Sequence, residues 1–205
     1  MKAAFRFLLF TIVLCAACSD NPVAGNGSEI VNGRVASGVP GMTVEAYPVD
    51  FVPDSTPLGA VVKTYTDSSG RFSLKVDSGS SYNLFIRDTV AGIGALVPEV
   101  KSGDRLGSVQ LTDLGGVEIS LDTDNYRSYR IYAAGTPYSL YLYEGGSALI
   151  SNVPQGKYEL FCIEENDVVT VPPVVSNPGS TDSVVVDVKS VEVKSSDSTP
   201  VRFTY

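Results

Sequence analysis

The chain contains no histidine and no tryptophan, and only three of its 205 residues are cysteine. Without histidine there is no Ser-His-Asp triad, no imidazole to activate a cysteine, and no usual mononuclear zinc site. We therefore expect a non-enzyme with no catalytic residue, no metal and no cofactor. The absence of tryptophan also removes the largest side chain on which a sugar ring can stack.

Basic residues are also few, since 15 lysines and arginines stand against 23 acidic residues, for a net charge of −8. A nucleic-acid partner would require clustered lysine and arginine, so none is expected. Hydrophobic residues reach 43% of the chain, too many for a disordered polymer. Paired carboxylates could still serve glycoside hydrolysis. However, the candidate pairs fall in turns or at strand ends, where solvated acids are expected anyway: Asp122 and Asp124, Glu164 and Glu165, Asp182 and Asp187.

No apolar run reaches the roughly twenty residues that a membrane-spanning helix needs. The longest candidate, Phe7 to Leu14, follows Lys2 and Arg6 and precedes small residues, the three-part layout of a secretory signal. Its ending, Leu14-Cys15-Ala16-Ala17-Cys18, resembles the lipobox of bacterial lipoproteins, in which cleavage precedes a cysteine that is then lipid-modified.

This resemblance implies that residues 1–17 are a signal peptide and that Cys18 is the lipidated N-terminus. It also implies a membrane anchor in the bacterial cell envelope, at the outer membrane, facing either the periplasm or the surface. An ordinary signal peptide cut near Ala17, releasing a soluble protein, remains the alternative. Residues 18–28 are rich in Asn, Gly and Ser and predict a flexible tether. Only Cys162 is then left, so no intramolecular disulfide is expected.

From Glu29 onward, short runs rich in Val, Ile, Tyr, Phe and Thr are broken every eight to twelve residues or so by turn residues, which predicts an all-β fold. The clearest hairpin joins Ala60–Thr66 to Arg71–Val76 through the turn Asp67-Ser68-Ser69-Gly70. In the next strand, Tyr82 to Ile86, Phe85 points away from its apolar neighbours. It therefore predicts a second covered surface on that sheet.

Residues 29–113 are similar to the carboxypeptidase regulatory-like domain, on the motifs Gly33-Arg34-Val35, Thr66-Asp67-Ser68-Ser69-Gly70-Arg71-Phe72 and Tyr82-Asn83-Leu84. In the second motif, Asp can cap the turn, Gly can adopt positive φ, and Phe can anchor the next strand. The resemblance implies a transthyretin-like, seven-stranded β-sandwich used as an accessory module, with no catalytic residue.

A second copy follows, because Val153 to Cys162 can be laid against Val76 to Ile86. We therefore expect two tandem transthyretin-like or immunoglobulin-like sandwiches, at residues 29–113 and 114–193, with residues 194–205 as a tail or an extra strand. The alignment places Cys162 at the position of Ile86, in the core. A single larger sandwich is the competing architecture.

Tyrosine is concentrated in the second half, where seven of the 11 lie between residues 126 and 158. In a strand from Tyr138 to Tyr143 with its leucines inward, Tyr141 and Tyr143 point outward. Tyr132 and Arg130 could extend that face, and Phe51 in the Pro48–Pro57 loop is a further candidate. Such surfaces suit a sugar or a protein partner, although tyrosine also simply packs across strands.

Two functional hypotheses result. The first is a lipid-anchored structural or interaction module of the envelope, with another envelope protein as its possible partner. The second is a surface lipoprotein that binds a polysaccharide through the tyrosine-rich face.

Overall fold

The computed structural model describes residues 27–123, 127–143, 145–165 and 184–204. The proposed lipidation site, Cys18, lies outside these ranges, as do Asp124, Tyr126 and Asp182. Apart from one 3-10 turn at Leu58–Ala60, the regular elements of the described residues are strands. None of those residues belongs to a helix long and apolar enough to cross a membrane.

The strands of the first half are β1 (Ser28–Val35), β2 (Thr43–Pro48), β3 (Val62–Tyr65), β4 (Arg71–Asp77), β5 (Ser81–Asp88), β6 (Ile93–Lys101), β7 (Arg105–Val109) and β8 (Thr112–Asp113). Those of the second half are β9 (Gly115–Asp122), β10 (Ser128–Ala133), β11 (Ser139–Leu142), β12 (Ser147–Val153), β13 (Gly156–Glu165), β14 (Val184–Val193) and β15 (Ser198–Thr204).

The predicted hairpin is present as β3 and β4, and its turn has the expected geometry. Asp67 Oδ1 accepts the N–H groups of Ser69 (2.8 Å) and Arg71 (2.9 Å), and Gly70 adopts a φ of +73°. In β4, buried and exposed side chains alternate, with Phe72 among the buried ones. A strand that buries one face and solvates the other requires this period of two.

Four sheets form two sandwiches with the same strand order, apart from the additional edge strand β8 in the first. The first pairs β4-β1-β7 with β3-β2-β5-β6-β8, and the second pairs β12-β9-β15 with β11-β10-β13-β14. In each, the first strand lies parallel to the seventh, β1 beside β7 and β9 beside β15. The all-β, sandwich-type fold expected from the sequence is confirmed.

The two sandwiches have separate cores that meet at one sheet. The first core contains Val31, Val44, Leu74 and Leu84 among others. The second contains Ile119, Leu160 and Phe203, together with three aromatic residues from the first half: Tyr47, Phe51 and Phe85. Phe85 is fully buried, so the predicted second covered surface of the β5 sheet is confirmed. The second sandwich covers it.

Two further expectations concern the second half. Cys162 is fully buried in the second core, opposite Ile131 of β10, as the repeat predicted. Of the two alternatives for residues 194–205, the structure has the extra strand, because β15 runs beside β9. Phe203 is fully buried there, so this strand is an integral part of the core.

Candidate functional site

Two tyrosines of the candidate glycan face lie at the surface. Strand β11 turns Leu142 into the core and leaves Tyr141 49% exposed, and Tyr143, just after the strand, is 67% exposed. This is the predicted alternation of leucine and tyrosine. The two rings are the part of the candidate face that a ligand could reach.

Arg130 and Tyr132 do not belong to that exposed face, which corrects the expectation. Both are buried, as is every residue of β10. The Arg130 guanidinium lies 5.3 Å from the centre of the Tyr132 ring, and that ring stacks on Phe161 at 5.3 Å. Arg130 Nη1 donates to the Pro53 carbonyl at 2.9 Å. The face is buried because the loop that follows β2 packs on it.

Phe51 is likewise buried, with only 2% of its surface exposed. The prediction that the Pro48–Pro57 loop presents Phe51 to a ligand is therefore wrong. The ring of Phe51 packs edge-on against Tyr47 at a centroid distance of 5.2 Å. Its carbonyl accepts the N–H of Gly135 from the second sandwich at 2.7 Å. Phe51 therefore attaches the loop to the second sandwich, and no part of its ring is available to a sugar.

These contacts belong to a larger junction between the sandwiches, which the sequence did not predict in detail. Glu45 and Arg87 lie on the outward face of β2 and β5, with Arg87 Nη2 at 2.5 Å from Glu45 Oε2. Arg87 Nη1 donates to Tyr138 Oη at 3.3 Å, and Tyr138 Oη donates to the Asn152 carbonyl at 3.0 Å. Asn83 Nδ2 donates to the Gly135 carbonyl at 3.1 Å.

A signal for this junction existed in the sequence. Phe85 is out of phase with the apolar residues on either side of it, and Arg87 lies two residues further along the same strand and therefore on the same face. On β2, Glu45 lies directly opposite Phe85. The Phe85 ring therefore has an acidic and a basic side chain beside it on one face of the sheet. This arrangement is typical of a buried interface with an ion pair at its edge.

Electrostatics at the junction favour fixed protonation states. Burial alone would raise the pKa of Glu45, but the hydrogen bond and charge of Arg87, with Lys63 (3.2 Å), hold it below its ordinary value. Burial raises the pKa of Tyr138 to about 12, and burial followed by the Glu45 charge raises the pKa of Tyr47 to about 12. At neutral pH both phenols stay protonated, which suits structural hydrogen bonds better than proton transfer.

Three of the carboxylates considered for hydrolysis lie beside arginines, and a fourth, Asp187, lies beside Lys189. Glu164 contacts Arg127, and Asp122 contacts Arg202. Glu165 Oε1 lies 3.2 Å from Arg130 Nε, an ion-pair contact without hydrogen-bond geometry. Among the described residues, no group of three or more Cys, Asp or Glu side chains is arranged to hold a metal ion.

A cleft of about 290 Å³ opens beside the junction, lined by residues of both sandwiches that include Asn83, Leu96, Lys157 and Phe161. Its walls come from β5, β6 and β13 and from loop residues beside them. The contacts around it hold two structural units together, and we find no convergent set of reactive groups among the residues that line it.

No protein-family model matches the chain. No curated protein matches it either. Among solved structures, it is similar to the TIE protein of Bacillus anthracis, at 16% identity and a TM-score of 0.31, over 87% of this chain and 34% of that one. It is also similar to GBS52, the minor pilin of Streptococcus agalactiae, at 11% identity and a TM-score of 0.30, over 86% and 94% of the two chains.

A streptococcal ancillary pilin gives 13% identity and a TM-score of 0.29, over 85% of this chain and 61% of that one. The chain thus spans about a third of the TIE structure and about three fifths of the ancillary pilin. At these TM-scores the likeness carries no inference about the function of this chain, which has to come from its own residues.

Proposed function

We propose that this chain is a non-catalytic, lipid-anchored protein of the bacterial cell envelope that acts as a structural or interaction module. In this proposal Cys18 carries the lipid, residues 18–28 form the tether, and two sandwiches, divided near residue 114, form a rigid body. The first sandwich is assigned to the carboxypeptidase regulatory-like family on its motifs. The lipobox-like sequence supports a membrane anchor, and we assign that anchor to the outer membrane.

The junction is the observation that carries this proposal. Aromatic rings that could have formed an open binding face are used to join the sandwiches, with Phe85 fully buried and Phe51 2% exposed. The charged pair Glu45 and Arg87 lies at the edge of the same interface. A chain that uses its aromatic and charged residues in this way is built to hold two units in a fixed relation.

The anchor is tested by metabolic labelling with a fatty-acid analogue in a bacterial host, followed by membrane fractionation. We expect the intact chain to incorporate the label and to fractionate with the outer membrane. Cys18→Ala should abolish labelling, whereas Cys15→Ala, the matched control, should retain it. Label that persists in Cys18→Ala would overturn the assignment, and an unlabelled periplasmic protein would support the ordinary signal peptide.

A second candidate function is glycan binding at the outer surface, favoured by the exposure of Tyr141 and Tyr143 close together on the chain. Flat rings with hydrogen-bonding tips suit a sugar ring. The test is a pull-down on insoluble polysaccharides. The Tyr141→Ala/Tyr143→Ala double variant should lose retention, while Tyr65→Ala, at a tyrosine that is 59% exposed on β3, should keep it. Unchanged retention in the double variant would exclude this surface.

A further inference from the structure

Strand β14 ends one sheet of the second sandwich and exposes apolar side chains. It pairs with β13 along one side, and no strand within the described part of the chain pairs with its other side. Three of its valines are about half exposed, Val184 at 57%, Val185 at 50% and Val188 at 47%. A long edge strand with exposed apolar residues is a template for pairing with another strand.

The backbone of β14 indicates which residue faces the unpaired side. The Val188 N–H donates to Oδ1 of the preceding Asp187 at 2.8 Å. This is expected for an N–H on the unpaired side of an edge strand, where no carbonyl of a neighbouring strand accepts its hydrogen bond. In the first sandwich, the corresponding strand β6 has this side joined by β8, through Ile93 opposite Asp113. The second sandwich lacks such a strand within its described residues.

We propose that β14 pairs antiparallel with β14 of a second copy of this chain, about a two-fold axis at Val188. The two four-stranded sheets β11-β10-β13-β14 then become one eight-stranded sheet. This inference goes beyond the proposed function and does not depend on the lipid anchor, because it uses only residues of the second sandwich.

The charges of β14 select both the partner and the register. Asp187 and Lys189 project from the same face, with Lys189 Nζ 3.4 Å from Asp187 Oδ2. Antiparallel strands related by a two-fold axis place residues of the same face opposite each other. With the axis at Val188, Asp187 of each copy lies opposite Lys189 of the other, which gives two cross-strand ion pairs.

Neighbouring registers are disfavoured by the same charges. An axis at Asp187 would place two carboxylates opposite each other, and an axis at Lys189 would place two ammonium groups opposite each other. Like charges directly opposite in a sheet are destabilising. The strand is therefore complementary to itself in the register centred on Val188, which is why a second copy is the occupant that we assign.

The experiment is sedimentation equilibrium of the full chain in a density-matched detergent, with charge-reversal variants. We expect a monomer–dimer equilibrium for the wild-type chain. Asp187→Lys and Lys189→Asp should each weaken dimerisation by at least about tenfold, because each turns two favourable pairs into two like-charge pairs. The double variant Asp187→Lys/Lys189→Asp exchanges the two charges and should restore the dimer. Glu192→Lys, on the same strand but away from the Asp187 and Lys189 pair, should leave it unchanged.

Thermal melting of each variant distinguishes loss of the interface from loss of the fold. A folded double variant that stays monomeric would overturn the proposal. So would single variants that dimerise as well as the wild type, which would indicate a different surface. A wild-type chain that remains monomeric at every concentration would also overturn it. Success or failure of this test is independent of fatty-acid labelling at Cys18.

Discussion

Two glycines with nearly the same backbone conformation differ in their surroundings. Gly70 has a φ of +73° and Gly79 a φ of +77°. A Cβ atom on Gly70 would lie 2.7 Å from the Cα of Gly38, whereas one on Gly79 would meet nothing within 4 Å. The left-handed backbone alone makes glycine favourable at both positions, but only at Gly70 does close packing add to that requirement.

We predict that Gly79→Ala costs about 1 kcal/mol of unfolding free energy, from backbone strain alone. Gly70→Ala should cost roughly 3 kcal/mol, because the turn must also move away from Gly38. Urea denaturation of both variants measures the difference. Equal losses would show that the contact with Gly38 relaxes freely.

Glu45 makes the stability of the junction depend on pH. Its pKa in the folded chain lies below the ordinary value, despite burial, because of Arg87 and Lys63. A lowered folded-state pKa stabilises the fold above the unfolded pKa of about 4.3, and this contribution is lost as the pH falls through the folded value. Stability should therefore be level near neutrality and fall in the acid range below about pH 4.3.

The matching variant is Glu45→Gln, in which the acid-range slope of unfolding free energy against pH should become shallower. Asp67 also has a lowered pKa, chiefly through backbone hydrogen bonding from Arg71 and contacts with Ser69, and it contributes to the same slope. Asp67→Asn removes this second contribution, so the slopes of the two variants are compared with each other and with that of the wild type. A slope unaffected by Glu45→Gln would mean that the ion pair with Arg87 does not distinguish the folded from the unfolded chain.

Among the elements, β15 contributes one core residue and one solvated arginine in adjacent positions. Phe203 is fully buried, and the Arg202 side chain is 67% exposed. We predict that Phe203→Ala costs about 3–5 kcal/mol of unfolding free energy, since it leaves a cavity in the second core. Arg202→Ala should change stability by about 0.5 kcal/mol or less, because exposed ion pairs contribute little. Thermal and urea unfolding compare them, and a small loss for Phe203→Ala would contradict an integral β15.

At the level of elements, the positions of several strands can be predicted from the sequence, but whether their outer faces are buried or exposed cannot. The alternation in β4 and the turn at Asp67 depend on neighbours within a few residues, so local patterns are enough to predict them. The burial of Arg130 depends on Pro53 and Ser55, which lie 77 and 75 residues away in the chain. No local pattern in β10 carries that information, so its outer face was predicted to be exposed when a distant loop covers it.

For the whole molecule, the junction couples two cores that would otherwise be independent. Phe85 and Ile86 are adjacent and both fully buried, but Phe85 lies in the second core and Ile86 in the first. Substituting each of these two neighbours by itself therefore separates the effect of the junction on unfolding from the effect of losing a residue of the first core.

We predict that the wild-type chain melts in a single calorimetric transition and that Phe85→Ala divides it into two. Ile86→Ala, the control, should lower stability by about 2–5 kcal/mol without dividing the transition. The scans are followed by small-angle scattering, in which Phe85→Ala should increase the maximum dimension. Two transitions already present in the wild type would show that the junction does not couple the sandwiches.

The division of the chain into two sandwiches could be inferred from the sequence because the repeat preserves pattern, as in Tyr82 with Leu84 and Tyr158 with Leu160. The way in which they join could not. It depends on Phe85 meeting Tyr138, whose rings lie 5.8 Å apart although the two residues are 53 positions apart in the chain. A periodic pattern indicates that a face is covered, but it does not identify what covers it.

The parallel pairing of first and seventh strands also sets the order of folding. In the second sandwich, Leu121 of β9 lies beside Phe203 of β15, so its central sheet cannot be completed until the last strand has left the ribosome. High contact order of this kind slows folding. The second sandwich therefore stays open until β15 has been synthesised, whereas the first can close as soon as β7 is available to pair with β1.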